Sequence, residues 1–321
     1  MKTVVVLGAS GYVGRALTQS LSDCEKFKVK VFRRKDSQLN TRGMAVEVGV
    51  GDLLDPSALI GFIDPGCTVV NLAFNHNATM EVNLKMAQNI VDACVAARIE
   101  RLIHVSTAVV SGRTNELVVT ERSKCRPKSV YAHTKLKIEE LISSSRSGQY
   151  EVVVLRPTAI FGPGGKALKK LAKDLLLGNS FVNYLRSSLF GFRKMHLVHI
   201  QNVISAVEYL INAEPGCCSG VYIVSDDEDS ANNFRSVEGA MSHALGIKEY
   251  RTRRIPFPRW LLSAMLLLTG KDSIDPRVVY SSKKLMGIGY RKPLSFSAGL
   301  SDFIKHDPIF ESSRTTQDEN S

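Results

Sequence analysis

A tyrosine and a lysine stand four residues apart in Tyr131-Ala-His-Thr-Lys135, and Ser106-Thr107 closes an earlier apolar run. Side chains four apart lie on one face of a helix, so the Lys135 ammonium would favour the Tyr131 phenolate and lower the pKa of the phenol toward working pH. Such a phenol can give or take a proton during catalysis. The pair alone is a weak signal, because tyrosine and lysine recur at this spacing by chance, and its meaning depends on the elements that position it.

The first of these elements begins at the start of the chain. The run Met1-Lys-Thr-Val-Val-Val-Leu7 is typical of a parallel strand buried on both faces. It leads into Gly8-Ala-Ser-Gly11-Tyr-Val-Gly14, a glycine-rich turn that opens an amphipathic helix, with GxxGxxG rather than GxGxxG spacing. Backbone N–H groups in such a turn can approach a pyrophosphate at the helix N-terminus, so the segment predicts dinucleotide binding.

Short β-rich runs then alternate with helical patterns, which predicts an α/β fold with a doubly wound parallel sheet. The predicted strands cover residues 2–7, 28–32, 45–48, 67–72, 101–106, 151–155 and 220–225, and the predicted helices cover 12–22, 56–63, 80–97, 129–146, 166–177, 233–245, 258–269 and 295–305. The later helices lack regular strand partners, which indicates a smaller, mostly helical C-terminal substrate lobe. We therefore predict the following division: a Rossmann domain of residues 1–162 plus 196–225, a substrate lobe of 163–195 plus 226–310, and a disordered tail at 311–321.

The end of the second predicted strand indicates which dinucleotide binds. Arg33-Arg34-Lys35 stands where NAD-binding chains place an acid on the adenosine ribose hydroxyls. Guanidinium groups pair with a 2′-phosphate, so the sequence favours NADP(H), with NAD(H) possible. The alternative is that Arg33-Arg34-Lys35 forms a solvated basic turn that binds no cofactor. After the third strand, Asp52 and the Leu53 backbone can meet the adenine edge, or Asp52 can cap a helix before Pro56.

Composition narrows the class of protein. The chain has 321 residues, 44% of them hydrophobic, and a net charge of +11 from lysines and arginines spread along it, which favours an anionic small molecule over nucleic acid. Six cysteines lack paired metal spacing and no cleavable signal precedes the first strand, so we expect no metal site and a cytoplasmic location. The apolar run Trp260–Thr269 is half the roughly twenty residues that a membrane span needs. We expect no integral membrane segment, and peripheral membrane contact stays open.

With these motifs in this order, the chain resembles the extended short-chain dehydrogenase/reductase family, also called the nucleotide-sugar epimerase/dehydratase family. The resemblance spans nearly the whole chain and rests on the following segments: Gly8–Gly14, Gly51–Leu53, Asn71–Ala73, Asn83, His104–Thr107, Tyr131–Lys135, Leu155–Pro157 with Phe161–Pro163, and Val198–Ile200. It implies that Thr107 hydrogen-bonds the substrate oxygen, that Tyr131 exchanges the proton, and that Lys135 tunes the phenol and binds the nicotinamide ribose.

The glycine turn, the basic strand end and the resemblance together assign a set of residues to the cofactor. These are Gly8, Ser10, Gly11, Tyr12, Val13, Arg33, Arg34, Asp52, Leu53, Leu72, Ala73, Phe74, Tyr131, Lys135, Pro157 and Ile160. The candidate substrate contacts are His76, Thr107, Lys166, Arg193 and Arg277. A homodimer through the helices near 84–97 and 129–146 is also expected from the resemblance.

A nicotinamide gives or accepts only a hydride, so the predicted reaction interconverts a ketone and an alcohol. Family epimerases and dehydratases keep NAD tightly bound, whereas reductases exchange NADPH, so Arg33-Arg34 favours a reductase. The basic lobe favours a nucleotide-activated sugar as substrate. Three alternatives stay open: an NAD-dependent nucleotide-sugar 4-epimerase, a dehydrogenase of sterol- or lipid-like alcohols, and a non-enzymatic NADPH-binding sensor or scaffold.

Overall fold

A seven-stranded sheet is the centre of the computed structural model, which describes residues 1–37, 39–145, 150–247, 250 and 275–311. From edge to edge its strands are β10 (Gly220–Val224), β7 (Glu151–Pro157), β5 (Arg101–Val105), β4 (Thr68–Asn71), β1 (Lys2–Leu7), β2 (Phe27–Arg33) and β3 (Val46–Val50). Every neighbouring pair is parallel, which confirms the predicted Rossmann sheet. The predicted strand at 220–225 joins this sheet beside β7.

Helices cover both faces of the sheet. The helices of the described residues are α1 (Tyr12–Ser22), α2 (Met80–Ala97), α3 (Val130–Ser144), α4 (Lys169–Leu177), α5 (Ser180–Phe190), α6 (Ile200–Asn212), α7 (Phe234–Ala244), α8 (Lys283–Gly287) and α9 (Phe296–His306). Of these, α1 and α6 pack on one face of the sheet, and α2 and α3 pack on the other. Alternate residues of β1 divide between the two faces: Val4 and Val6 join the apolar cluster that includes α1 and α6, while Val5 and Leu7 join the cluster that includes α2 and α3. Because β1 is buried on both sides, its sequence is an unbroken apolar run.

The predicted helix at 56–63 is wrong in length. The structure has only a 3-10 helix at Pro56–Leu59, because Ile60 is extended and Gly61 takes a positive φ of 78°. The predictions also did not include α5 or α6, although α6 carries apolar residues with helical spacing. The predicted helix at 258–269, the apolar run at Trp260–Thr269 and the tail after residue 311 lie outside the described residues.

A third apolar cluster lies beyond the sheet and joins α4, α7 and α9. Its buried members include Ala172, Met241 and Phe303. Two short parallel strand pairs lie outside the central sheet. The pair of β6 (Val118–Val119) with β11 (Val279–Tyr280) belongs to a smaller fourth cluster, whereas β8 (Ala159–Phe161) with β9 (Leu197–His199) contributes to the third one. We keep the division into a Rossmann domain and a substrate lobe as a proposal, which this separate cluster supports.

Two further features concern the surface of the described part of the chain. No helix in it is both long and apolar enough to cross a membrane. The outward residues of α2 and α3 include Lys85, Gln88, His133 and Lys137, which are exposed and polar. The predicted homodimer through these two helices stays a prediction.

Candidate functional site

The predicted site residues meet where the parallel strands end. Gly8 follows β1, Leu72 follows β4, Thr107 follows β5 and Pro157 ends β7. These strands are neighbours and run in one direction, so their carboxyl ends share one edge of the sheet. This edge is where open α/β sheets bind their ligands.

The glycine turn after β1 forms a close-packed cradle. Gly8 has a φ of 85°, and a Cβ there would lie 2.7 Å from the Leu72 carbonyl carbon and the Ala73 nitrogen. A side chain at Gly14 would collide with the Gly8 carbonyl oxygen. Gly11 caps α1 without a side-chain hydrogen bond, so no side chain of the cap occupies the backbone N–H groups of the first turn. Such a helix start fits the pyrophosphate of a dinucleotide.

A cavity of about 140 Å³ opens beside this turn. It is lined by Gly8, Ser10, Phe32, Arg33, Arg34, Gly51, Asp52, Leu53, Leu54, Ala73, Phe74, Asn75 and Met86. Sequence reasoning missed Phe32, Gly51, Leu54, Asn75 and Met86 as lining residues. All but Met86 adjoin residues that the predictions included, whereas Met86 comes from α2 and carried no signal in the sequence.

The two arginines after β2 differ in what they contact. The Arg33 guanidinium donates from Nη1 to the carbonyl oxygens of Arg34, Lys35 and Ser37 at 3.3, 3.2 and 3.4 Å. Arg33 therefore holds the loop in its conformation. Arg34 is exposed, lines the cavity, and has no side-chain partner among the described residues. The guanidinium that is open to an anionic ligand is that of Arg34.

The loop after β3 also lines the cavity. Asp52 Oδ1 accepts a hydrogen bond from the Leu54 amide at 2.9 Å, and the Leu53 carbonyl accepts one from Asn89 Nδ2 at 2.8 Å. Asp52 therefore shapes its own turn. The cap before Pro56 is Asp55, which accepts from the Ser57 amide at 2.9 Å, so the alternative meaning of Asp52 as that cap is wrong.

Thr107, Tyr131 and Lys135 come together at the end of β5. The Thr107 side chain lies close enough to the Tyr131 phenol to lower its pKa, and Thr107 Oγ1 accepts a hydrogen bond from the Val109 amide at 3.3 Å. Tyr131 lies in the first turn of α3, and Lys135 lies one turn later and is buried. The Lys135 ammonium donates to the Val105 carbonyl oxygen at 3.0 Å, which joins α3 to the strand that precedes Thr107.

The electrostatics of this cluster differ from the prediction. Burial raises the pKa of the Tyr131 phenol, and the Thr107 hydrogen bond opposes that rise. Burial lowers the pKa of Lys135 to about 8, against the opposing effect of the Glu139 carboxylate. The prediction that Lys135 lowers the pKa of Tyr131 is therefore wrong for this arrangement. Desolvation dominates the pKa of the phenol, and the Lys135 ammonium bonds to the Val105 carbonyl instead.

An aromatic cluster surrounds the phenol. The His76 ring stacks on the Tyr131 ring, with centroids 5.5 Å apart and 21° between the planes. Phe74 meets His76 and Tyr131 edge-on at 4.9 and 5.1 Å, and Lys135 Nζ lies 5.0 Å from the Phe74 centroid. Asn83 on α2 holds this loop in place, since its side chain accepts from the Asn75 amide at 2.9 Å and donates to the Asn75 carbonyl at 3.0 Å.

A buried ion pair supports α3 behind the phenol. Arg156 Nε donates to the two oxygens of Glu139 at 3.1 and 3.0 Å, and both side chains are almost fully buried. Glu139 lies one turn after Lys135 on α3, and Arg156 belongs to β7. The pair therefore ties the helix that carries Tyr131 to the central sheet. Arg156 belongs to the segment Leu155–Pro157 that carries part of the family resemblance, but its pairing with Glu139 was not predicted.

The remaining predicted cofactor residues lie around the cavity rather than in its lining. The Tyr12 phenol is buried near Gly162 and Gly165 and lines a different groove, so only the Tyr12 backbone belongs to the glycine turn. Val13 packs against the core cluster, and Ile160 lies in β8. Each of the two is half-buried.

The three basic substrate candidates do not line the cavity. Lys166 is exposed, and Arg277 forms two hydrogen bonds to Asp275 at 3.0 and 2.8 Å. Arg193 is different, because burial lowers its pKa, its guanidinium lies 5.8 Å from the Phe190 centroid, and no carboxylate within the described ranges pairs with it. Arg193 is thus the one of the three that most needs an anion.

Comparison with known proteins adds to this geometry. The model of the NAD dependent epimerase/dehydratase family matches residues 4–223. The chain is 24% identical over 323 residues to a UDP-glucose 4-epimerase of Vibrio cholerae, covering 93% of each chain. It is 27% identical to a 2-alkyl-3-oxoalkanoate reductase of Shewanella oneidensis, covering 70% of this chain and 61% of that one. Among solved structures, a dTDP-glucose 4,6-dehydratase from Bacillus anthracis in complex with NAD superposes with a TM-score of 0.74 at 16% identity, covering 97% of both chains.

Proposed function

Because this chain belongs to the NAD dependent epimerase/dehydratase family, we propose that it is an NADP(H)-dependent oxidoreductase that reduces the keto group of a nucleotide-activated sugar. One observation carries the proposal. Thr107 and the Tyr131 phenol lie together at the same strand edge as the glycine cradle, with the buried Lys135 one helical turn away. A proton donor therefore stands beside a dinucleotide cradle.

In this proposal each residue of the cluster has a distinct role. A nicotinamide, when bound, supplies the hydride. Thr107 and Tyr131 hydrogen-bond the substrate carbonyl oxygen, and the phenol donates its proton to that oxygen. Burial raises the pKa of Tyr131, so the phenol holds its proton at neutral pH and can donate it once the substrate oxygen becomes basic. Lys135, as a buried ammonium, binds the nicotinamide ribose.

The choice of NADP(H) rests on Arg34, which is the exposed guanidinium at the adenosine end of the cavity. A planar guanidinium binds a phosphate through fixed, parallel donors, and a 2′-phosphate is what distinguishes NADPH from NADH. Reductases release the oxidised dinucleotide after each turnover, whereas an NAD-dependent 4-epimerase retains it. The dinucleotide that remains on the purified protein therefore separates these two functions.

The substrate class rests on two weaker observations. The chain is similar along nearly its whole length to a UDP-glucose 4-epimerase, and Arg193 is a half-buried guanidinium without an acidic partner in the described residues. We assign Arg193 to the substrate diphosphate and His76, which stacks on Tyr131, to the sugar. A second candidate, reduction of an apolar 3-oxo compound, is favoured by the similarity to a 2-alkyl-3-oxoalkanoate reductase. The two candidates share the keto reduction and differ in the substrate lobe.

Calorimetry with NADPH, NADH, UDP and GDP tests cofactor and substrate class first. Tight NADPH binding with measurable UDP or GDP binding supports a keto-sugar nucleotide, and NADPH binding without either nucleotide favours the apolar substrate. A panel of keto compounds of the supported class then gives turnover.

Tyr131→Phe tests the catalytic assignment in the same turnover assay. We expect this variant to lower turnover by roughly 10²–10⁴-fold with NADPH affinity nearly unchanged. Tyr150→Phe is the matched control, because Tyr150 also hydrogen-bonds through its hydroxyl, to Ser145, but precedes β7 at the opposite edge of the sheet. Equal turnover by the wild type and Tyr131→Phe would refute the role of the phenol.

A further inference from the structure

Large apolar side chains are exposed where α4 meets α5. Leu177 and Phe181 expose 86% and 66% of their surface, and Leu176 and Val182 beside them are also exposed. We call these four residues, with Lys170 and Lys173, the α4–α5 corner. Isolated exposed apolar residues are ordinary on protein surfaces, but four within seven positions of the chain form a patch that marks an interaction surface.

The exposed side chains of the corner are not core residues that have lost a packing partner. The inner face of α4 is already packed, since Ala172 and Leu175 are buried in the cluster with α7 and α9. Asn179 begins α5 by accepting from the Phe181 amide at 2.9 Å, so the turn that presents the patch is internally held. Leu177 and Phe181 therefore face outward from a formed structure.

Positive charge accompanies the apolar residues. Lys170, Lys173 and Leu177 are spaced by three and four positions, so they form one stripe along the exposed face of α4. The acidic residue of this helix, Asp174, is compensated by Arg186 at 2.7 Å. Neither Lys170 nor Lys173 has an acidic partner among the described residues, so the stripe presents uncompensated cations directly beside leucine and phenylalanine.

This combination determines which partner fits. A second copy of the chain in a two-fold contact would bring the same lysines against each other, which is repulsive. A nucleic acid would match the lysines but not the apolar tip. The surface of an anionic bilayer matches both, because its headgroups attract lysine and its interfacial region accepts leucine and phenylalanine.

We propose that the α4–α5 corner docks the protein on an anionic membrane surface, with Leu177 and Phe181 inserted among the headgroups and Lys170 and Lys173 on the lipid charges. The attachment is peripheral and does not depend on the function proposed above. Its consequence for that function is positional: the substrate lobe would face the bilayer, so substrates that are lipid-linked or accumulate at a membrane would be favoured.

Sedimentation of the full chain with vesicles tests this proposal. The vesicles are phosphatidylcholine alone, or phosphatidylcholine with roughly 30 mol% phosphatidylglycerol, an anionic fraction that creates a negative surface potential. We expect binding to the anionic vesicles only, and loss of binding at about 0.5 M salt, where charges are screened within a few ångströms. Leu177→Ser with Phe181→Ser, and separately Lys170→Glu with Lys173→Glu, should each lower the bound fraction at least roughly fivefold.

Matched controls keep the test specific. Ile60→Ser removes an apolar side chain that is 68% exposed elsewhere, and Lys305→Glu reverses an exposed charge on α9; both should bind like the wild type. Thermal unfolding and NADPH affinity should be unchanged in the corner variants, because the substituted side chains are exposed and do not line the cofactor cavity. Equal binding to neutral vesicles, no binding at all, or equal binding by the corner variants overturns the proposal. A dimer that the serine variants dissociate would also overturn it, by assigning the corner to self-association.

Discussion

Arg34→Ala should weaken NADPH binding and leave NADH binding nearly unchanged. In the structure Arg34 lines the cavity, and its side chain forms no hydrogen bond or ion pair with the described residues, so its loss disturbs no internal hydrogen bond of theirs. A hydrogen bond to a charged group contributes about 1.5–3 kcal/mol. Because Arg34 is exposed, solvent and salt screen its charge, and we expect the lower end of that range, which corresponds to roughly a tenfold rise in Kd.

Arg33→Ala should behave differently although it removes the same charge from the neighbouring position, which also lines the cavity. Arg33 donates to three carbonyl oxygens of its own loop, at 3.2 to 3.4 Å. Without these bonds the loop loses its conformation, so NADPH and NADH should both bind more weakly. The comparison of the two variants separates a residue that reads the phosphate from one that shapes the loop.

Isothermal calorimetry of each variant with NADPH and with NADH, at one fixed salt concentration, measures this difference. Lys305→Ala controls for net charge, because it removes one exposed cation outside the cavity and should change neither affinity. If Arg34→Ala weakens the two dinucleotides equally, or if Arg33→Ala weakens only NADPH, the division of roles between the arginines is refuted. If neither variant changes NADPH affinity, the preference for NADP(H) itself fails.

Two further predictions concern the helix that carries Tyr131. Burial holds the pKa of Lys135 at about 8, below its value in the unfolded chain, so the unfolded chain binds the extra proton between about pH 8 and 10. The wild type should therefore gain stability relative to Lys135→Met as the pH rises through that range, and a constant difference in urea unfolding without dinucleotide would contradict this. Arg156→Met should lower the free energy of unfolding by about 3–5 kcal/mol, because it leaves the Glu139 carboxylate buried and unpaired. The double variant Arg156→Met with Glu139→Leu should lose clearly less stability, because it leaves no unpaired charge. Equal losses by the two variants in thermal unfolding would show that the pair contributes through packing alone.

The parts of this protein that could be predicted from the sequence are those with local causes. The strand at Lys2–Leu7 and the helices at Tyr12–Ser22 and Met80–Ala97 lie within a residue of their predicted limits, because burial on both faces and helical periodicity are visible in neighbouring residues. The glycine turn was also local, since Gly8 needs its positive φ wherever a strand enters a helix in this way. The failure at 56–63 had a local cause as well, the positive φ of Gly61.

What only the tertiary structure decided depends on residues that are distant in the chain. Which of Arg33 and Arg34 remains open to a ligand follows from how their loop folds back on itself. The Lys135 ammonium bonds to the carbonyl of Val105, thirty positions away, and desolvation there raises the pKa of Tyr131 instead of lowering it. Residue types and spacing thus determined the fold and the chemical groups present, whereas burial and long-range hydrogen bonds, which no local pattern encodes, decided their protonation and which of them face a ligand.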